Sequence, residues 1–255
     1  MNLRKYGSEP YNVAVIHGGP GAPGEMADVA EELSKSTGVL EPLQTKDSID
    51  GQVEELKTII IQNTKEPITL IGWSWGAWLS FILAARYPLL VKKLILVSSG
   101  PFEVKYTRDI RKTRLSHLDE KNRARMMEIE QQLFAPTPEL FQEFGALYDK
   151  ADSFSPLDKN KEDDLKTQPE IYTKVWPEAS RLRMSGELLA LGKDITCPVV
   201  AIHGDYDPHP AEGVKEPLSK IVKDFKFVLL EKCGHHPWLE RHARDEFYNV
   251  LKAEL

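Results

Sequence analysis

A serine held between two glycines is the residue in this sequence best placed to do chemistry. The pentad Gly72-Trp73-Ser74-Trp75-Gly76 follows an apolar run at 68–71 and precedes apolar residues at helical spacing. This strand–turn–helix pattern is typical of a nucleophile elbow, where a strained turn exposes the serine hydroxyl. A side chain at Gly72 or Gly76 would collide with the neighbouring strand or helix. We therefore predict that Ser74 is a nucleophile.

A serine hydroxyl attacks a carbonyl only with help from a base and from an acid that orients the base. Two acids, Asp205 and Asp207, follow one predicted strand, and two histidines, His235 and His236, follow the last one. The order Ser, Asp, His along the chain is one in which catalytic triads occur. Either acid could instead cap a turn, and the spacing leaves both pairs open.

The developing oxyanion also needs hydrogen-bond donors, and two backbone N–H groups are candidates. The segment His17-Gly18-Gly19-Pro20-Gly21 follows the first apolar run, and its glycines let the backbone approach a reacting atom closely. We predict that Gly19 gives one N–H and that Trp75, at a helix N-terminus, gives the other. Trp73 is predicted to line an apolar substrate pocket.

The remaining histidines are given structural roles or none. His17 and His203 are expected to hydrogen-bond backbone groups near the edge of the sheet, because each ends an apolar run. His117, His209 and His242 carry no feature that points to a function.

The elements that must position these residues alternate between strand and helix. Helical patterns separate six predicted strands, at 11–17, 38–43, 68–71, 94–97, 197–203 and 225–230. This alternation predicts an α/β fold with a mostly parallel, doubly wound sheet. Residues 1–101 and 194–255 form its core.

Residues 102–193 break the alternation, since they are charged, helical in pattern and without a strand signal. One helix within them is predicted to have Thr137 as N-cap and Pro138 as first residue. We predict a helical lid inserted at the carboxyl edge of the sheet, where ligands of such sheets bind. Lysine and arginine outnumber acidic residues from Lys105 to Arg125, which predicts a solvated lid helix or, alternatively, a clamp for an anionic substrate.

Bulk composition excludes several functions. The chain has 255 residues, 41% of them hydrophobic, and a net charge of −6 with a pI near 5.7, which argues against nucleic-acid and anionic-membrane partners.

The two cysteines, Cys197 and Cys233, form no Cys-x-x-Cys pair and are too far apart along neighbouring strands to bridge. The first residues lack an apolar signal core, and no run is long enough to span a membrane. We expect a cytoplasmic protein that needs no metal or cofactor and acts on a small molecule.

Three motifs resemble one branch of the α/β-hydrolase fold superfamily, the proline iminopeptidase-like proteins. The motifs are His17-Gly18-Gly19-Pro20-Gly21, Gly72-x-Ser74-Trp75-Gly76 and Gly234-His235-x-Pro237-Trp238-x-Glu240. The resemblance implies that His235 is the base and that Asp207, at the end of a His-Gly-x-x-Asp spacing, is the acid. It also implies an α/β-hydrolase fold of about six strands, without the two leading strands of the full sheet.

The sequence also departs from that branch. Residues 41–46 stand where an Asp-Gln-Arg-Gly stretch is usual, and Ala77 stands where glycine or serine usually follows the elbow. In those peptidases glutamates of the lid hold the free amine of the substrate; here the lid offers Glu178 and Glu187 among others.

Two functions of different classes compete. The first is a serine hydrolase that cleaves a small ester or amide through an acyl-enzyme, either as an esterase or as an iminopeptidase-like aminopeptidase. The second is a non-catalytic ligand-binding protein on the same fold, because a fold does not fix a function. A non-catalytic relative would be expected to lack one component of the catalytic set, and this sequence contains all of them.

Overall fold

The core of the protein is one twisted sheet whose seven strands lie in the order β1-β3-β2-β4-β5-β6-β7. The computed structural model describes residues 2–134, 136–158 and 167–255. Strand β1 is antiparallel to β3, and all other neighbouring strands are parallel. The strands are β1 (Leu3–Tyr6), β2 (Tyr11–Ile16), β3 (Gly38–Pro42), β4 (Ile68–Trp73), β5 (Val91–Val97), β6 (Val199–Gly204) and β7 (Phe225–Leu230).

Helices cover both faces of the sheet. Among the described residues they are α1 (Ala27–Leu33), α2 (Ile49–Asn63), α3 (Trp75–Arg86), α4 (Ile110–Ser116), α5 (Glu120–Glu130), α6 (Pro138–Ala151), α7 (Pro169–Ser185), α8 (Glu187–Ala190), α9 (Glu212–Ile221) and α10 (Arg244–Ala253). Helices α2, α3 and α9 pack on one face, and α1 and α10 pack on the other. None of the helices in the described ranges is long and apolar enough to cross a bilayer.

The predicted fold class is confirmed, and the sheet has one strand more than predicted. All six predicted strands are present, in one mostly parallel sheet. The added strand, β1, was missed because Leu3-Arg4-Lys5-Tyr6 is short and half polar, as an edge strand can be. The last helix begins at Arg244, after a separate 3₁₀ turn at Pro237–Leu239.

The elbow between β4 and α3 has the geometry that its glycines predict. Ser74 lies at the N-cap of α3 with φ 55° and ψ −116°, a backbone conformation that side chains rarely adopt. A Cβ on Gly72 would lie 2.2 Å from the carbonyl oxygen of Gly76, and one on Gly76 would lie 2.1 Å from that of Ile16. The predicted collisions with the helix and with the neighbouring strand are therefore confirmed.

We expect Gly76→Ala to destabilise the protein, because the added methyl group meets backbone atoms that cannot move aside. A cost of about 1–3 kcal/mol or more is typical of such overpacking. Gly145 is the matched control, since it is also helical and a Cβ there would have no neighbour within 4 Å. Gly145→Ala should stabilise the protein by roughly 0.5–1 kcal/mol. Urea unfolding of both variants measures the difference, and equal midpoints would contradict this account of the elbow.

The described residues between β5 and β6 form helices α4–α8 and no strand, apart from one isolated bridge between Pro156 and Glu240. Helices α5 and α6 share a small apolar cluster of their own, whereas α7 packs against the main core. The predicted start of α6 is confirmed, because the Thr137 hydroxyl accepts a hydrogen bond from the Leu140 N–H at 3.2 Å. Cys197 and Cys233 are both free, as predicted, and both are buried.

Candidate active site

The predicted site residues converge at the carboxyl edge of the sheet. Gly19 follows β2, Ser74 follows β4, Asp207 follows β6 and His235 follows β7. Parallel strands bring these four chain segments to one edge. Ser74, Gly19, Trp75 and His235 all line one cavity of about 600 Å³.

The structure brings Asp207 and His235 together. The Nδ1 atom of His235 lies 2.7 Å from Oδ2 of Asp207, and both side chains are buried. This contact fixes the tautomer in which Nδ1 carries the proton and Nε2 is free to accept one. Asp205 instead accepts a hydrogen bond from the Cys233 N–H, which joins the segment after β6 to the segment after β7.

His236 points to a different set of neighbours. Its ring packs on Trp73, with the ring centroids 4.5 Å apart, and its Nε2 lies 3.7 Å from a carboxylate oxygen of Asp149. His236 therefore lines the same cavity without contacting Asp207. His17 and His203 bond backbone carbonyls, those of Gly18 and His209, as predicted.

Sequence reasoning missed His209, which shares the carboxylate of Asp207. Its Nδ1 and its backbone N–H each lie 2.9 Å from Oδ1 of Asp207. The two-residue spacing of Asp207 and His209 could have predicted this contact, because an aspartate commonly accepts a hydrogen bond from the backbone two residues further along. Asp207 thus holds one histidine with each oxygen, and the rings of His209 and His235 lie 4.9 Å apart.

The two histidines respond differently to this shared carboxylate. Burial opposes a charge on His235, but the charge of Asp207 and the hydrogen bond to it outweigh burial and raise the pKa of His235. Burial lowers the pKa of His209 despite its bond to Asp207, and a charged His235 lowers it further. Burial also opposes ionisation of Asp207, yet the histidines hold its pKa well below the usual range. His235 is therefore the more readily protonated ring.

These pKa directions predict how activity depends on pH. A general base must be neutral, so kcat/KM should rise with pH through one ionisation of the free enzyme. Because the pKa of His235 is raised, that ionisation should lie above the ordinary histidine value of about 6.5. Asp207 remains ionised throughout this range. Initial rates with a neutral ester at low concentration measure the profile; a flat profile from about pH 5 to 9 would argue against a histidine base.

The loop that carries Gly19 lies against the elbow. A Cβ on Gly18 would lie 3.2 Å from the Cβ of Ser74, and Gly19 has a φ of +105°, which favours glycine. Trp75 is the first residue of α3, so its N–H has no acceptor within the helix. Trp75 thus adjoins Ser74 in the chain, Gly19 adjoins a residue that packs on Ser74, and both line the same cavity as the serine.

Gln44 joins the two chain segments that bear these donors, and sequence reasoning did not single it out. The Nε2 of Gln44 donates to the carbonyl of His17, and its Oε1 accepts from the indole N–H of Trp75 at 3.1 Å. Gln44 lies in the segment 41–46, which differs from the iminopeptidase pattern. In this chain that segment therefore supplies a buried polar side chain that connects His17 to Trp75.

The loop that carries His235 is held by three contacts. The indole of Trp73 donates to the His235 carbonyl at 2.8 Å, and the His235 N–H donates to the carbonyl of Asp152 at 2.8 Å. The buried Glu240 accepts from the N–H groups of Gly234, Phe154 and Ser155. The helical insertion thus fixes the backbone of the histidine loop directly.

The acidic residues suggested as amine ligands lie elsewhere. Glu178 accepts a hydrogen bond from the N–H of Ile49 at the start of α2, and Glu187 is exposed at the start of α8; neither is among the residues that line the cavity. The described carboxylates that do line it belong to Glu25, Asp149 and Asp152, and Asp152 forms a two-pronged ion pair with Arg114.

Comparisons with known proteins identify two relatives in sequence. The chain is 26% identical to a proline iminopeptidase of Heyndrickxia coagulans over 250 residues, which cover 89% of this chain and 85% of that protein. It is 30% identical to a cis-3-alkyl-4-alkyloxetan-2-one decarboxylase of Shewanella oneidensis over 64 residues, but this match spans only 25% of the chain and 20% of the relative.

Structural and family comparisons agree with the architecture. The crystal structure of a proline iminopeptidase of Mycobacterium smegmatis superimposes with a TM-score of 0.65 at 17% identity, covering 98% of this chain and 92% of that one, which shows a shared fold. A family model described as the alpha/beta hydrolase fold matches residues 12–241. The chain therefore belongs to the α/β-hydrolase fold family.

Proposed function

We propose that this protein is a serine hydrolase that cleaves a small ester or amide through an acyl-enzyme. The observation that carries the proposal is Ser74, strained at the elbow and lining the same cavity as His235, whose Nδ1 lies 2.7 Å from Asp207. Nucleophile, base and acid in this arrangement are the parts of a triad.

The proposed reaction has two steps. Nε2 of His235 accepts the proton of the Ser74 hydroxyl as Oγ attacks the carbonyl carbon, and the N–H groups of Gly19 and Trp75 stabilise the oxyanion. His235 then gives the proton to the leaving group, and the acyl-enzyme forms. Water, deprotonated by His235, attacks the acyl-enzyme, and His235 returns that proton to Oγ of Ser74 as the acid is released.

We propose further that residues 102–193 act as a lid whose inner face sets selectivity. Side chains of α6 and α7, such as Phe141 and Tyr172, line the cavity opposite the sheet edge that bears Ser74. A helical insertion in this position excludes water from the site and selects the substrate.

An iminopeptidase-like aminopeptidase is the second candidate, favoured by the relative that matches over most of the chain. Such an enzyme needs a carboxylate for the free amine; Glu178 and Glu187 do not line the cavity, whereas Glu25 and Asp149 do. Because residues 41–46 and Ala77 depart from the iminopeptidase pattern, we expect hydrolysis of p-nitrophenyl esters and weak or no release of proline from prolyl arylamides.

The test is a panel of short- and long-chain p-nitrophenyl esters beside proline and alanine arylamides. Efficient release of N-terminal proline that is lost when the amine is acetylated would overturn the preference for esters. An absence of turnover on the whole panel, with intact fold, would favour the non-catalytic alternative.

A further inference from the structure

Three arginines line the cavity, and two of them are already paired. Arg111 forms an ion pair with Glu130 at 2.8 Å, and Arg114 binds the carboxylate of Asp152 through two bonds of 2.6 Å. Arg183 differs: within the described residues no carboxylate pairs with its guanidinium, and its buried Nε has no hydrogen-bond partner. The arginines of residues 105–125 that reach the cavity, Arg111 and Arg114, are therefore already neutralised by acids. The arginine that can still pair with an anion there is Arg183 of α7.

The surroundings of Arg183 are aromatic. Its Cζ lies 5.2 Å from the ring centroid of Trp78 and 6.0 Å from that of Trp176, and these two rings stack on each other with an interplanar angle of 8°. Contact with aromatic faces stabilises a guanidinium, but it satisfies none of the N–H donors. A half-buried cation with open donors, facing a cavity, is suited to receive an anion.

We propose that Arg183 binds a carboxylate of the substrate, so that the ester or amide cleaved at Ser74 carries a carboxylate on its acyl or leaving group. This rests on the proposed hydrolase function and names the substrate class. The fork of a guanidinium matches the two oxygens of a carboxylate. A single unpaired guanidinium in an apolar setting neutralises one charge, which fits a carboxylate better than a dianionic phosphate.

Trp78 links Arg183 to the serine. It lies four residues after Ser74, the N-cap of α3, its ring is 5.2 Å from Cζ of Arg183, and all three residues line the same cavity. Tyr172, Trp176 and Arg183 are spaced four and seven residues apart on α7, so they share one face, and all three line the cavity. The substrate chain would run from Ser74 past Trp78 and end at Arg183.

Two matched pairs of substrates test the proposal kinetically. Mono-4-nitrophenyl glutarate and its neutral amide, 4-nitrophenyl 4-carbamoylbutanoate, place the charge on the acyl side. The ester pair 4-acetoxybenzoate and 4-acetoxybenzamide places it on the leaving group. We expect a preference for the acid in at least one pair, and we expect Arg183→Gln to reduce it about tenfold to hundredfold, chiefly through KM, as loss of a charged hydrogen bond predicts.

The control variant is Arg181→Gln, which removes the same charge from an exposed position on the same helix. It should leave the preference unchanged, whereas Arg183→Lys should restore part of it. A preference that is absent in the wild type, or unchanged in Arg183→Gln, overturns the proposal. Hydrolysis of the neutral esters through Ser74 would still stand in that case, so the two failures are distinguishable.

A binding measurement keeps the proposal testable if turnover is not observed. Calorimetric titration of the Ser74→Ala variant with monomethyl glutarate and with 4-acetoxybenzoate, each beside its neutral amide, should give in at least one pair a dissociation constant at least tenfold lower for the acid. Adding Arg183→Gln to that variant should abolish the difference. Equal binding of acid and amide in both pairs, or a difference that survives the second substitution, would refute the role of Arg183.

Discussion

Replacing Ser74 with alanine should lower kcat for p-nitrophenyl ester hydrolysis by roughly a millionfold, to the level left by binding and by the oxyanion donors. The reason is that the acyl-enzyme cannot form without the hydroxyl, and the other members of the triad cannot compensate. The substitution removes one oxygen at the N-cap of α3, where the side chain makes no capping hydrogen bond, so the fold should persist.

Ser80→Ala is the control for this change. Ser80 lies on the same helix, is fully buried and does not line the cavity. This variant should retain near-normal kcat, with any change confined to stability. Undiminished turnover in Ser74→Ala, measured on protein purified away from host esterases, would end the hypothesis.

His235→Ala should be nearly as damaging as Ser74→Ala, since residues that act as a unit show nearly the full loss singly. His236→Ala should keep most of the activity, because His236 packs on Trp73 and does not contact Asp207. His209→Ala should cost less than His235→Ala, because Asp207 retains its bond to His235. Steady-state kcat and kcat/KM of the three variants, with circular dichroism to verify folding, give the ranking.

Another ranking would be informative. A larger loss in His236→Ala would show that the resemblance to the iminopeptidase-like proteins assigns the wrong histidine. A larger loss in His209→Ala would make the other ring on Asp207 the base.

Local pattern was sufficient to predict the parts of the fold that are built from nearest neighbours in sequence. The apolar runs predicted six strands, and the Gly-x-Ser-x-Gly spacing predicted the strained turn at Ser74, because the crowding of Gly72 against Gly76 lies within that turn. Thr137 and Pro138 predicted the start of α6 for the same reason, since a helix cap is formed within a few residues.

What the sequence could not predict depends on contacts between distant segments. Strand β1 is stabilised by pairing with β3, some 35 residues away, rather than by its own half-polar sequence. Gln44 gains its role only because β3 brings it beside His17 and Trp75. Arg183 was one of many charges in a helical segment until the fold placed it over Trp78 while pairing Arg111 and Arg114 with acids.

The choice between the two acids and between the two histidines shows the same limit. Asp205 and Asp207, like His235 and His236, are indistinguishable by spacing, and the resemblance to a family selected one of each. The geometry brings the selected members together at 2.7 Å, and it adds His209, whose contact with Asp207 is local and could have been anticipated from the Asp-Pro-His sequence.

Labelling with a fluorophosphonate, followed by peptide mass spectrometry, tests the central claim most directly. These reagents phosphonylate a serine that an adjacent base has activated, and they need no knowledge of the natural substrate. We predict one adduct per chain, on Ser74, that disappears in Ser74→Ala and is strongly slowed in His235→Ala. A folded protein that takes up no label, or that carries the label on another residue while hydrolysing esters, would contradict the account.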